Sequence, residues 1–592
     1  MPGHGARSAP APAPAPALLL RGALVVDGTG GAPYRADALL RDGRIAALHR
    51  EGDPGPRPTA PRTVDADGLA LAPGFVDMHA HSDLALLTDA GHEAKVLQGV
   101  TLEVLGQDGL SYAPVDDRTL PDLRRQLVGW NGDPGDSSSP GSPGDSSGLG
   151  GPGGPDAAER FWDWRTVGQY LDRLDRGPHG DGIAVNAAYL VPHGTLRALV
   201  TGWEDRPVTP AELALMNAQL AQALAEGAVG LSAGLTYSPG MYADTDELVS
   251  LCRTVAASGG YFCPHHRSYG AHALEAYAET VEIARRSGCA LHLAHATMNF
   301  RVNAGRAGEL VALLDRAMAS GVDLTLDSYP YLPGSTTLAA LLPGWASVGG
   351  PEQTLARLAD PAALAALRVA LEEQGSDGCH GVVADWDTVQ ISGVRSAALR
   401  PAVGLTISQL ARRDGVEPFA AFVELLRADG LGSTILQHVG DEQNVRTVMR
   451  HPAHTGGSDG LLVGDRPHPR AWGTFPHYLG HYVREQGVLG LAECVRHLSA
   501  TPARRLRLPD RGLVRPGYRA DLVLLDPGTV AAGASYEQPR TPPTGIPYVL
   551  VNGVPVVEDH RRTGATPGRA VRSAGRAVRS PGVRSPGVRS PG

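Results

Sequence analysis

The sequence predicts an α/β fold: a (β/α)8 barrel of the TIM type, with a small β-sandwich built from both termini and a lid insertion. Three observations carry this expectation. Between residues 182 and 296, short apolar or β-branched runs alternate with helical stretches: GIAVNAAYLV, TPAELALMNAQLAQALAEG, AVGLSAGL, TDELVSLCRTVAASGG, YFCPHH, ALEAYAETVEIARRSG and CALHLAHA. A strand-then-helix repeat with a step of about thirty residues marks parallel strands joined by crossover helices. No GxGxxG follows an early strand, so a dinucleotide-binding sheet loses ground to a barrel. The chain's two ends differ in character, carrying short strands and turns such as LLLRGALVVDGTG, DLVLLDPGTV and YVLVNGVPVV.

Taken in chain order, residues 1–17 are rich in Ala and Pro and are expected to be disordered. The apolar run at the end of this stretch is only a few residues long before Arg21 interrupts it, so no signal peptide is read. Residues 18–70 and 510–560 form the sandwich, and 71–509 the barrel. Within the barrel, the Gly/Pro/Ser-rich segment 132–156 reads as a flexible loop. The interval from the strand VDLTLDSYPY to GGSDG far exceeds one barrel unit, and residues 333–440 are assigned to an inserted lid. The VRSPG-rich segment 564–592 is expected to be a disordered tail.

Composition narrows the function. With 53 basic and 62 acidic residues the formal net charge is -9, which argues against a nucleic-acid or anionic-membrane surface and for a small-molecule substrate. No window reaches the roughly 18 apolar residues of a membrane span. The 5 cysteines are odd in number and lack CxxC spacing, which fits a reducing cytoplasm.

PGFVDMHAHSD places His79 and His81 two residues apart at the end of an apolar run, where strand alternation points both imidazoles the same way. Two readings stand for that pair: metal ligands, or histidines on a polar strand face. Collecting polar residues at the ends of the predicted barrel strands adds Asp108, His265, His295 and Asp459. Barrel sites assemble at this end of the strands, and an imidazole-dominated set favours zinc over magnesium.

The sequence resembles the amidohydrolase superfamily and, within it, the N-acyl-D-amino-acid deacylases. The resemblance spans roughly residues 18–560 and rests on PGFVDMHAHSD, LQGVTLEVLGQDGLSYAP, GLSAGLTYSPGMYADTDEL, HHR, LDSYPYLPGSTTLAALLPGWA, GSDG followed by HPRAWGTFPHYLG, and RGLVRPGYRADLVLLDP. It implies that His79, His81, His265 and His295 ligate one or two zinc ions. It further implies that Asp459 is both a ligand and the catalytic acid/base, and that a linear amide is hydrolysed. A second GSDG at 375–378 lacks the HPRAWGTFP continuation and is set aside.

Two departures from the family pattern stand out. LGQDG puts Asp108 where the family has a cysteine ligand and Gln107 where it has an asparagine. The chain's only lysine, Lys95, lies in a helical segment before the second strand, which closes the carbamylated-lysine route to a metal bridge. Arg470, Tyr329 and Ser335 match the family's substrate-carboxylate contacts, but Thr297 stands where a lysine is expected. The reading is therefore a zinc-dependent amidohydrolase that deacylates an N-acyl-D-amino acid. Its alternatives are a cyclic-amide hydrolase of the hydantoinase or dihydroorotase kind, and a non-catalytic ligand-binding relative. Oligomeric state is not legible in the sequence.

Overall fold

A computed structural model describes residues 17–134 and 161–573. The expected disorder of 1–16, most of the 132–156 loop, and the tail beyond 573 lie outside the described residues.

Eight parallel strands form the barrel in the order Phe75–Asp77, Val100–Leu105, Asn186–Pro192, Gly230–Gly234, Tyr261–His265, Ala290–Leu293, Leu324–Ser328 and His454–Gly456. The ring closes between the first and eighth strands. Met78 N donates to Gly456 O at 3.1 Å, Asp459 N donates to His79 O at 2.8 Å, and Ala80 bridges Gly460 in parallel. Strands of a parallel barrel are buried on both faces, and their side chains divide accordingly. Val76, Met78, Leu102, Val104, Ala188, Leu190 and Cys263 share one cluster, while Phe75, Val100, Ala187, Tyr189, Leu231, Phe262 and Leu291 pack into the larger one.

The crossover helices begin and end where local chemistry dictates. Thr209 and Glu212 form a reciprocal capping box ahead of Pro210–Ala225, and Asp244 caps Thr245–Ser258 through Glu247 N. Gly259 and Gly288 end their helices in the left-handed region, where a Cβ would be strained.

The terminal segments, expected as a small sandwich, hydrogen-bond as one nine-stranded sheet. Its N-terminal and C-terminal halves join where Ala70–Pro73 pairs antiparallel with Leu522–Leu525. One face encloses its own core of Leu20, Val25, Leu71, Leu522, Leu524 and Leu550; the other, through Ala70, Ala72, Val523 and Leu525, packs into the barrel's outer cluster. The insertion has a three-stranded antiparallel sheet, Gly334–Thr337, Val389–Gly393 and Thr434–Gln437, and a separate apolar core that includes Leu338, Trp386, Phe422 and Ile435.

Residues 564–573, grouped with the tail on composition, instead lie against the barrel. Gly568 and Ile183 exchange backbone hydrogen bonds, Ala187 N donates to Arg569 O, and Val571 N donates to Ala187 O at 2.7 Å. Arg572 pairs with Asp172 and Asp175. Composition missed this strap because its partners lie nearly 400 positions away in sequence. Deleting residues 564–592 removes partners from the buried backbone of Ala187, so it should lower unfolding stability by about 2–4 kcal/mol in denaturant melts. Unchanged stability would show that the strap is not part of the folded unit.

Candidate metal centre

The polar residues collected from the strand ends converge at the barrel mouth. Nε2 of His79 lies 3.5 Å from Asp108 Oδ1 and 3.7 Å from Asp459 Oδ1. Nε2 of His81 lies 3.2 Å from Asp459 Oδ1 and 3.6 Å from Asp108 Oδ2. On the other side of Asp108, His295 Nε2 and His265 Nδ1 are 3.4 and 3.7 Å from Oδ1, and 3.0 Å from each other. Two groups result, His79–His81–Asp108–Asp459 and Asp108–His265–His295, and Asp108 belongs to both.

The donor set fits a cation. Both ring nitrogens of His79 and Oδ1 of Asp108 are buried without a hydrogen-bond partner, a costly state unless another group completes them. Burial works against charging His79, yet the carboxylates of Asp108 and Asp459 outweigh it and raise its pKa well above the ordinary imidazole value. For Asp108, burial pushes the carboxyl up, but His79 and His295 hold it well below the usual range. The cluster therefore draws in positive charge. Bidentate reach and a shared carboxylate suit one ion or two, and imidazole with carboxylate oxygen suits zinc-like ions.

Neighbours aim the rings. His265 Nε2 is 2.7 Å from Thr236 Oγ1, and His295 Nδ1 is 2.9 Å from Tyr269 OH, which leaves Nδ1 of the first and Nε2 of the second facing Asp108. Asp327 accepts from His295 N at 2.8 Å, lies 3.0 Å from His292 Nε2 and stands 3.8 Å from His79 Nδ1. Gly457 permits this approach, since a Cβ there would sit 2.6 Å from Asp327 Oδ1. Gln107 donates to Met78 O at 2.7 Å and receives the Cys263 thiol at 3.4 Å, buttressing the turn that carries Asp108.

Arg470 is fully buried, with Nη2 3.0 Å from Asp459 Oδ2 and 3.2 Å from Ser335 O, and its guanidinium sits 4.4 Å over the Tyr329 ring. Its Nε and Nη1 have no partner. Tyr329, Ser335 and Thr297 line the cavity at the ligand cluster, which measures about 70 Å³; residues of the insertion, among them Thr336, His380 and Gln437, complete it. Asp377 of the second GSDG stays outside this lining and bonds Gly344 N.

Sequence reasoning missed Asp327, although LDSYPY puts it at a strand end like the others, and missed Thr236 and Tyr269, which carry no ligand-type signal. It also missed the cluster beneath the site. Lys95 Nζ, wholly buried, donates to Asp77 Oδ2 at 2.6 Å and to Ser458 Oγ at 2.7 Å and is 3.2 Å from Glu103 Oε1, while His92 Nε2 is 2.6 Å from Glu103 Oε2. The amine is engaged here and not between metal ligands.

Four imidazoles and two carboxylates at the mouth of a (β/α)8 barrel define a metal-dependent barrel hydrolase. The chain belongs to the amidohydrolase family, whose sequence profile matches residues 62–557. It is 34% identical over 554 residues to a D-aminoacylase of Alcaligenes xylosoxydans xylosoxydans, covering 94% of this chain and 97% of that protein. It superposes with a TM-score of 0.73 on an N-acyl-D-glutamate deacylase from Bordetella bronchiseptica, solved with zinc and a phosphonate mimic of the tetrahedral intermediate. That pair is 30% identical and covers 94% of this chain and 99% of the other. A D-hydantoinase structure, at 15% identity and a TM-score of 0.50, shares the fold alone.

Lys95→Met leaves Asp77 buried without its cation and Glu103 with His92 alone, and should cost about 3–5 kcal/mol at pH 7. Burial raises the Glu103 carboxyl, but His92 and Lys95 prevail and lower it to about 2. A depressed carboxylate stabilises the fold fully above its ordinary value and progressively less as pH falls through the folded one. The gap between wild type and Lys95→Met should therefore be smaller at pH 4 than at pH 7. Denaturant melts at both values check this, and a gap that widens on acidification would contradict the pairing.

Proposed function

We propose that the protein hydrolyses the amide of N-acyl-D-amino acids, with zinc held by His79, His81, Asp108, His265, His295 and Asp459. The observation that carries this reading is the meeting of both ligand groups on Asp108, beside an Asp459–Arg470 pair whose guanidinium has free donors. When bound, zinc supplies a Lewis acid that acidifies water and polarises an amide carbonyl.

The chain's own residues supply the rest. Burial raises the Asp459 carboxyl, but the Arg470 guanidinium and His79 bring it well below the usual range, so it is ionised at neutral pH and able to accept water's proton. Its Oδ1 faces His79 and His81, so a proton taken there can be delivered to the leaving nitrogen of a substrate held in the same cavity. Arg470 places a fixed positive charge behind Tyr329 and Ser335, which line the cavity, on the side where a substrate carboxylate would be balanced. Burial lifts the Tyr329 phenol to about 12, which keeps it a hydrogen-bond donor.

Among the described residues no helix is long and apolar enough to cross a membrane. The five cysteines are free and buried, in keeping with the reducing cytoplasm where we place the protein. The small-molecule substrate enters from the face covered by the insertion, which supplies Ser335, Thr336, His380 and Gln437 to the cavity and acts as its lid.

Zinc-loaded protein should cleave N-acetyl-D-amino acids in preference to their L-enantiomers and lose turnover on chelation. Asp459→Asn should keep the histidine-held metal and lower kcat by about 10²–10⁴-fold. Near-native kcat in that variant would move the proton-transfer role to another residue, and full turnover without metal would remove the reading altogether.

A further inference from the structure

A hydrogen-bonded column runs through the barrel interior and reaches the metal ligands from the end opposite the cavity. Leu291, Leu293, Leu324 and Leu326 pack in the outer cluster, so strand alternation turns His292, Thr325 and Asp327 inward. His292 sits directly opposite Thr325 in the register of the sixth and seventh strands. Its Nδ1 is 2.7 Å from Thr325 Oγ1, and its Nε2 is 3.0 Å from Asp327 Oδ2. Below, where the seventh strand begins, Arg505 Nε donates to the same Thr325 Oγ1 at 2.7 Å and its Nη2 donates to Asp323 Oδ1 at 2.7 Å. Above, Asp327 Oδ1 accepts from His295 N at 2.8 Å, and Oδ2 stands 3.8 Å from His79 Nδ1.

The two ends fix the direction of every bond between them. A guanidinium only donates, and it stays charged at any working pH. A carboxylate only accepts, and Asp327 faces two imidazoles and a backbone N–H. His292 is neutral: burial lowers its pKa and, with Arg505 and His79, outweighs the pull of Asp327. A neutral imidazole has one N–H, and opposite a carboxylate that proton belongs on Nε2. Nδ1 therefore accepts, and the Thr325 hydroxyl donates to it. Among the described residues that hydroxyl has no other acceptor within hydrogen-bond distance.

The reversed tautomer would set a bare Nε2 against Asp327 Oδ2 and push that oxygen from its place between His292 and His79. Both ligand histidines would feel the shift, because the other oxygen of Asp327 holds the backbone of His295. Arg505 opposes the reversal. An Nδ1–H would bring a second donor onto Thr325 Oγ1 beside the guanidinium and leave the hydroxyl proton unpaired, a costly state in a buried site. Tyr261 packs edge-on against the His292 ring, with centroids 5.9 Å apart, and helps to hold its plane.

We propose that Thr325 and His292 are positioning residues for the metal centre: the fixed charge of Arg505, relayed through them, holds Asp327 against His79 and the His295 backbone. The proposal rests on the zinc-site reading above, and its test separates the two.

Full-length wild type, Thr325→Ser and Thr325→Val are compared. Serine keeps the hydroxyl, whereas valine keeps the shape and removes it. In zinc-loaded, histidine-labelled protein, ¹⁵N NMR reads the His292 ring, its signals assigned by their loss in His292→Gln. Wild type and Thr325→Ser should show the Nε2–H tautomer, and Thr325→Val should lose that single form. Zinc affinity, read by competition with a chelator, should fall about 10–100-fold in Thr325→Val and recover in Thr325→Ser. A lower melting temperature in Thr325→Val with tautomer and zinc affinity unmoved is what a merely structural role produces, and it would overturn the proposal. An Nδ1–H or charged His292 ring in wild type would overturn it without recourse to any variant. Wild-type protein that binds no zinc would overturn the metal reading, and the proposal with it.

Discussion

The site depends on the joint between the first and eighth barrel strands. The HxH pair stands on one side of that joint and Asp459 on the other, so their distance is set by how the ring closes. The closure is polar and buried: Asp77 Oδ1 accepts from Ser458 N at 2.8 Å, Lys95 reaches both Asp77 and Ser458, and Asp459 N donates to His79 O at 2.8 Å. A buried ion pair adds little net stability over apolar packing, but it tolerates few alternative geometries. We infer that positional definition is what this one lysine supplies, since ligand atoms must be fixed to within a fraction of an ångström for a metal to bind.

Backbone strain concentrates in the same place. Asp108, His295 and Asp459 all have positive φ, at 53°, 30° and 48°. Aspartate tolerates the left-handed region better than most residues, whereas histidine at 30° relies on its surroundings: His295 N donates to Asp327, and its ring is held by Tyr269. Each strained residue lies two or three positions beyond the end of a strand, where the chain must turn sharply to aim a side chain back over the barrel axis. Stability given up at these turns is offset by the apolar clusters on both sides of the barrel wall.

Much of this was legible in the sequence, for a definite reason. Metal ligands at strand ends combine a period-two pattern with a restricted set of residue types, so His79, His81, Asp108, His265, His295 and Asp459 stood out and are indeed brought together. What stayed hidden were groups whose meaning lies in a distant partner. Glu103 and Lys95 look like ordinary strand and helix residues until Ser458, more than 360 positions away, joins them. The strap at 564–573 has tail-like composition, yet its backbone completes the edge of the third barrel strand. The second GSDG has its Asp377 outside the cavity lining, but the histidine three residues beyond that aspartate lines the cavity, which only the insertion's fold reveals.

Asp108 is the member on which the account turns, because a carboxylate with two oxygens can face both ligand groups where a single donor would have to choose. The direct measurement is the metal-to-protein ratio of wild type, Asp108→Ala and Asp108→Cys after loading and identical dialysis. The account predicts that Asp108→Ala loses metal relative to wild type while Asp108→Cys, which restores a soft anionic ligand, retains at least one ion as firmly as wild type. Three identical ratios would contradict it, leaving Asp108 a turn residue beside a site held by histidines alone.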